Sequence, residues 1–135
     1  MSTNRFLALA VVAALLAVCE DDPAGVRQDE QGVDCGDEVA SVAVTVSGGA
    51  NPVIDWSPRC RVTLLLMEEG AHDVWSLRGD EGENDVEPPV TYDVVPQGLT
   101  GPEAEPLLTG HTYEVILWHA GTEGERILAV HEFVR

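Results

Sequence analysis

The sequence predicts an all-β domain, an antiparallel sandwich of about seven short strands, and three observations carry that expectation. From Val39 onward apolar residues mostly recur at every second position, the period of a half-buried strand. Clusters of glycine, proline and asparagine interrupt that alternation roughly every ten residues, as the turns of a sandwich require. No segment between Cys35 and Arg135 sustains apolar residues at helical spacing, and no long internal repeat is present, so one domain suffices.

The strands follow in order. Val42, Val44 and Val46 line one face of the first, which Gly48, Gly49, Asn51 and Pro52 end. Residues 53–56 (VIDW) form the second, closed by Ser57 and Pro58. A richer run at 61–67 (RVTLLLM) is the third, and 73–77 (DVWSL), bounded by Gly70 and Gly79, is the fourth. The fifth, 90–95, has prolines at both ends, which assigns it to a sheet edge because proline cannot donate to a ladder. Residues 96–110 read as a loop rich in proline and glycine. The last two strands, 112–118 and 126–134, face each other across a glycine-containing hairpin loop at 120–124.

Ahead of this domain, residues 1–5 carry one positive charge, on Arg5, and 6–18 (FLALAVVAALLAV) are unbroken apolar sequence ending at Cys19. Such a run is too short to cross a bilayer as a helix and fits the core of an export signal. Residues 16–19 (LAVC) resemble the lipobox of bacterial lipoproteins, in which the cysteine is acylated and becomes the first residue of the mature chain. The resemblance implies removal of 1–18 and attachment to a membrane of the cell envelope through a lipid such as palmitate on Cys19. An ordinary secretory signal cleaved nearby is the alternative. Residues 19–37, with Glu20, Asp21 and Asp22 at their start and Pro23, Gly25 and Gly32 after, read as a disordered acidic tether. Its flexible span would be roughly 20 Å. Residues 38–135 are then the sandwich.

All 24 acidic residues follow Cys19, against 6 of the 7 arginines, and there is no lysine. Such a surface repels phosphate backbones and anionic lipid headgroups, so nucleic acid is not an expected partner. Of three cysteines, lipidation would use Cys19. Cys35 and Cys60 remain to pair in an oxidising compartment, and neither lies in a C-x-x-C motif, so the expected role is a structural disulfide.

Two local patterns resemble the fibronectin type III domain. Val53-Ile54-Asp55-Trp56-Ser57-Pro58 is similar to that family's second strand, in which a core tryptophan is closely followed by proline. Leu107, Gly110 and Tyr113, followed by alternating aliphatics, have the spacing of its tyrosine corner. The resemblance implies that the Tyr113 ring packs in the core while its hydroxyl bonds backbone just upstream. Trp56, Leu107, Gly110 and Tyr113 are thereby structural residues. Fibronectin-like modules of the bacterial envelope are generally spacers or binding modules, so a non-catalytic role is implied.

The residues agree with that role. There is no G-x-S-x-G, no H-E-x-x-H and no glycine-rich phosphate loop, so neither enzymatic activity nor a cofactor is expected. The four histidines lack ligand spacing and read as solvated or rim residues, with His131 near Glu114 across the last hairpin. Asp80, Glu81, Glu83 and Asp85, interleaved with glycine, have the composition of a calcium loop of low affinity, or of a solvated acidic loop. Trp118 lies on the opposite strand face from Tyr113, Val115 and Leu117 and so points outward; with Trp75 as a neighbour it is a candidate binding surface. The expected function is to bind another envelope component, a protein or a glycan, through a sheet face or loops. A spacer or assembly subunit without a ligand is the alternative, as is a glycan- or calcium-binding module.

Overall fold

The structure, a computed structural model, describes residues 33–135; the segment read as an export signal, Cys19 and most of the segment read as a tether lie outside the described residues. The described residues form eight strands: β1 (Ala43–Val46), β2 (Val53–Ser57), β3 (Leu64–Glu69), β4 (His72–Gly79), β5 (Val90–Thr91), β6 (Leu99–Thr100), β7 (Thr112–Gly121) and β8 (Gly124–Val134). They form two antiparallel sheets, one ordered β1-β2-β5 and the other β6-β4-β3-β7-β8. The fold is the sandwich that the alternation predicts. Among the described residues no helix is long and apolar enough to cross a membrane.

The core lies between the sheets. Val44, Ile54, Trp56 and Val90 face it from the smaller sheet; Leu65, Met67, Trp75, Leu77, Tyr113, Val115 and Leu117 face it from the larger. Each set follows one parity of its strand, as the pleat dictates. Trp56 spends its indole N–H on the carbonyl of Cys60, 2.8 Å away, so its ring is buried without an unpaired donor. The tyrosine corner is built as its spacing implies: Tyr113 is buried, and its hydroxyl accepts the N–H of Leu108 at 2.8 Å. Gly110 takes φ 84° between them, a conformation that a side chain disfavours, while Leu107 packs on the core.

The eighth strand, β6, lies inside the segment read as a loop. It is two residues long and pairs with the end of β4, Arg78 opposite Thr100 and Gly79 opposite Leu99. The chain then follows β4 until the Glu105 N–H bonds the Val74 carbonyl at 3.1 Å, covering an edge that would otherwise be open. Other boundaries shift for identifiable reasons. Arg61 and Val62 precede β3 because they bridge to Asp34 and Val86 instead. β5 ends at Thr91, and the chain turns away at Asp93, φ 64°, rather than continuing to Val95. It has one neighbour, β2, as an edge strand should. The last hairpin is tighter than expected, since Gly121 still pairs with Gly124 and leaves only Thr122 and Glu123 to turn.

Cys35 and Cys60 form a disulfide, with Cα atoms 4.8 Å apart. Closing a 25-residue separation stabilises the fold by about 3.5 kcal/mol through loss of chain entropy in the unfolded state. It also corrects the domain boundary, because residues 33–37 belong to the sandwich and not to the tether. The Cys35 N–H donates to the Arg61 carbonyl at 3.0 Å, and the Arg61 N–H to that of Val33 at 2.8 Å. Arg61 pairs with Asp34 at 2.6 Å, and Arg126 donates to the Val39 carbonyl at 2.6 Å. Asp37 accepts the Thr122 hydroxyl at 2.8 Å, and bonds from that hydroxyl and the Thr122 N–H hold its carboxyl below the usual range.

Candidate binding face

In β3 and β7 both parities are apolar, although one suffices to face the core. Leu65 and Met67 point inward, leaving Leu64 and Leu66; Val115 and Leu117 point inward, leaving Ile116 and Trp118. Register aligns the outward set across three strands. Leu64 lies opposite Trp118, which lies opposite Ile127, and Leu66 lies opposite Ile116, which lies opposite Val130. Two parallel rows of three apolar side chains therefore lie across β3, β7 and β8 on the outer face of the larger sheet. Leu64, Leu66, Ile116 and Trp118 are partly buried, while Ile127 and Val130, on the outermost strand, are 46% and 56% exposed. The Trp118 indole N–H is covered and has no hydrogen-bond partner among the described residues.

The next row is acidic. Glu68 lies opposite Glu114, Glu114 opposite Glu132, and on the other side Glu68 lies opposite Asp73. Four carboxylates thus run across four adjacent strands along one border of the apolar rows. Glu68 has its carboxyl raised above the ordinary range, chiefly by burial, then by the hydrogen bond with and charge of Asp73, and by the charge of Glu114. Like charges directly opposed on a sheet cost stability, so this row is not explained by folding. The outer face of the smaller sheet carries one large apolar side chain, Val53, beside Ala43, Thr45, Asp55 and Ser57, which are small or polar. Chemically, the larger face can receive apolar side chains and, at its border, cations.

Of the two tryptophans expected on a binding surface, the structure brings only Trp118 to this face. Trp75 is 1% exposed, lies opposite Met67 on the inward side and meets Tyr92 edge-on, ring centroids 5.1 Å apart. Its parity with Leu77 signals that orientation, and a bulge at Val74 separates it from Asp73. Tyr92 itself is buried, which pushes its hydroxyl up to about 12, and it donates to the Glu105 carbonyl at 2.6 Å.

The residues of the calcium candidate are not brought together around one point. Asp80, Glu81 and Glu83 are exposed around one turn of 3-10 helix, Asp80–Gly82, and among the described residues no three His, Cys, Asp or Glu side chains converge to hold a metal. What this loop aims inward is Asn84. Its Oδ1 accepts the Thr63 hydroxyl at 2.5 Å and the Ala120 N–H at 3.0 Å, and its Nδ2 donates to the Ala120 carbonyl at 2.9 Å. Gly79 permits the close passage, since a side chain there would collide with the Glu83 carbonyl.

The histidine reading changes in two places. His119 is 2% exposed, continuing the inward parity of Leu117. His131 lies opposite Val115, not near Glu114, because a bulge between Leu117 and Trp118 shifts the hairpin register by one. His72 and His111 form exposed pairs with Glu105 and Glu69, at 2.9 and 2.5 Å.

Sequence reasoning found Trp118 and missed Leu64, Leu66, Ile116, Ile127, Val130 and the glutamate row. The signal was present in LLLM and VILW, where apolar residues occupy both parities of a strand with only one core to face. No protein-family model matches the chain, and comparison with curated proteins and with solved structures returns no match.

Proposed function

We propose that this chain is a non-catalytic envelope lipoprotein, held to a membrane through Cys19, whose sandwich binds another envelope component through the outer face of its larger sheet. The observation that carries the reading is the double apolar row, Leu64-Trp118-Ile127 and Leu66-Ile116-Val130, on the outer face of the larger sheet, with Ile127 and Val130 exposed, in a strongly acidic chain. It favours a binding module over a spacer, because a spacer gains nothing from apolar side chains outside its core.

Three features support the wider setting. The apolar run that ends in LAVC is the layout of a lipoprotein export signal. The Cys35–Cys60 disulfide suits an oxidising compartment outside the cytoplasm. The likeness to fibronectin type III domains gains support from the Tyr113 corner and from the sheet order: β1, β2 and β5 correspond to strands A, B and E of an immunoglobulin-type sandwich, and β3, β7 and β8 to C, F and G.

A photo-crosslinking amino acid introduced in the native host at Ile127 or Val130, and separately at Ala43 or Thr45 on the opposite sheet, tests the reading. A discrete adduct from the first pair alone is the expected result. Adducts of equal yield from both faces, or none from either, would remove the basis for a binding face.

A further inference from the structure

The apolar rows are bordered on one side by carboxylates only. Running outward from the edge of β4, the border reads Asp73, Glu68, Glu114 and Glu132, each directly opposite the next across a strand pair. No arginine stands in this row. The nearest positive charge in the registered rows is Arg78, opposite Leu64 at the far side of the apolar patch, and it lies 3.8 Å from Glu125. A partner docking on the apolar rows therefore meets uncompensated negative charge along a single side.

That asymmetry chooses among occupants. A second copy of the chain would bring a net charge of −17 against −17 and set carboxylates near carboxylates. The chain's own segment 20–32 carries five acids and one arginine, which disfavours it on the same ground. Anionic lipid headgroups fail likewise. Resting on the binding reading above, we infer that the occupant is a protein segment with an apolar stripe flanked on one side by lysine or arginine, its apolar side chains on the Leu64-Trp118-Ile127 and Leu66-Ile116-Val130 rows and its cations on Glu68, Glu114 and Glu132. Such an arrangement fixes the direction in which the partner lies on the sheet, because the reversed orientation strands its cations over Arg78.

The test uses the full mature chain with its disulfide intact and three dye-labelled amphipathic helical peptides, one with a leucine stripe flanked on one side by lysine, one with the same stripe flanked by glutamate, and one with serine in place of leucine beside the lysine flank, followed by fluorescence anisotropy. The leucine–lysine peptide should bind in a salt-dependent manner, the leucine–glutamate peptide should not, and the serine–lysine peptide should bind more weakly. The triple variant E68Q/E114Q/E132Q should weaken leucine–lysine binding by about tenfold, as loss of three charge contacts at a partly desolvated border implies. The variant D80N/E81Q/E83Q, which removes as many charges from the exposed loop, should change it less than about twofold, since those charges lie off the face and act through screening solvent. Equal weakening by both triples would assign the effect to overall charge and overturn the inference, as would no weakening by the first. The serine pair I127S/V130S separates the two claims. If it abolishes binding while the glutamine triple does nothing, the acidic border is irrelevant and the apolar binding face stands; if it has no effect, or the serine–lysine peptide binds as tightly as the leucine–lysine one, both fall. Circular dichroism of each variant verifies that it is folded.

Discussion

Replacing Asn84 by alanine should cost about 3 kcal/mol of stability, far more than a polar residue in a loop of acidic neighbours would ordinarily cost. The side chain is 9% exposed and makes three hydrogen bonds, to a Thr63 hydroxyl that is fully buried and to both backbone groups of Ala120. Each bond contributes about 1 kcal/mol net, and truncation leaves all three partners without a substitute inside a partly closed site. For a domain of this size the melting temperature should fall by roughly 12 to 24 °C. N84D gives a sharper test. One carboxylate oxygen keeps the acceptor role of Oδ1, but the other would face the Ala120 carbonyl where Nδ2 now donates at 2.9 Å. Only the protonated acid can donate there, so the new carboxyl has a folded-state pKa above its unfolded value of about 3.9. Below that value both states are protonated and stability is retained. As pH rises the unfolded chain ionises first, and stability relative to wild type falls by up to about 1.4 kcal/mol per pH unit until the folded pKa is passed. Thermal melts followed by circular dichroism across this range measure both effects. A loss under about 1 kcal/mol for N84A, or a pH-independent penalty for N84D, would refute the inward geometry of Asn84.

The remaining predictions concern the corner, the disulfide and the acidic row. Y113F removes the acceptor of the Leu108 N–H and should destabilise by about 1 to 2 kcal/mol with little change in the near-native spectrum, measured by urea titration. The double variant C35S/C60S should lose about 3.5 kcal/mol, and loosening of residues 33–37 should appear as faster exchange of the backbone amides at position 35 and at Arg61. E68Q should be more stable than the parent at neutral pH, by a few tenths of a kcal/mol, because the folded sheet binds a proton on Glu68 more tightly than the unfolded chain does. Its advantage should shrink as pH falls through the raised carboxyl range, where the parent protonates; an advantage that grows on acidification would mean that the Glu68 shift has the opposite sign.

The sandwich was legible because alternation and turn chemistry are local. Val44, Trp56, Leu65 and Tyr113 lie inside by parity alone, and the resemblance of Leu107, Gly110 and Tyr113 to a tyrosine corner implied a hydroxyl bond to backbone just upstream, which Tyr113 makes with Leu108. What local reading could not supply was register. A bulge at Val74 sets Asp73 opposite Glu68 and another near Trp118 sets His131 opposite Val115, whereas the inward side of Trp75 was legible in its parity with Leu77. The glutamate row is invisible for the same reason: Glu68, Glu114 and Glu132 are far apart in sequence and become neighbours only when three strands are aligned. Asn84 was hidden by composition, one amide among carboxylates whose orientation depends on Thr63 and Ala120. β6 was hidden by its length, since two paired residues leave no periodicity to detect.

Every envelope role discussed above depends on anchoring at Cys19 and on oxidation of the other two cysteines, and one measurement addresses both: the intact mass of the mature protein from its native host, with and without reductant. The account predicts a chain that begins at an acylated Cys19 and gains two hydrogens on reduction, as the Cys35–Cys60 bond opens. An unacylated chain would contradict the anchor, and a mass unchanged by reductant would contradict the disulfide and the oxidising compartment it implies.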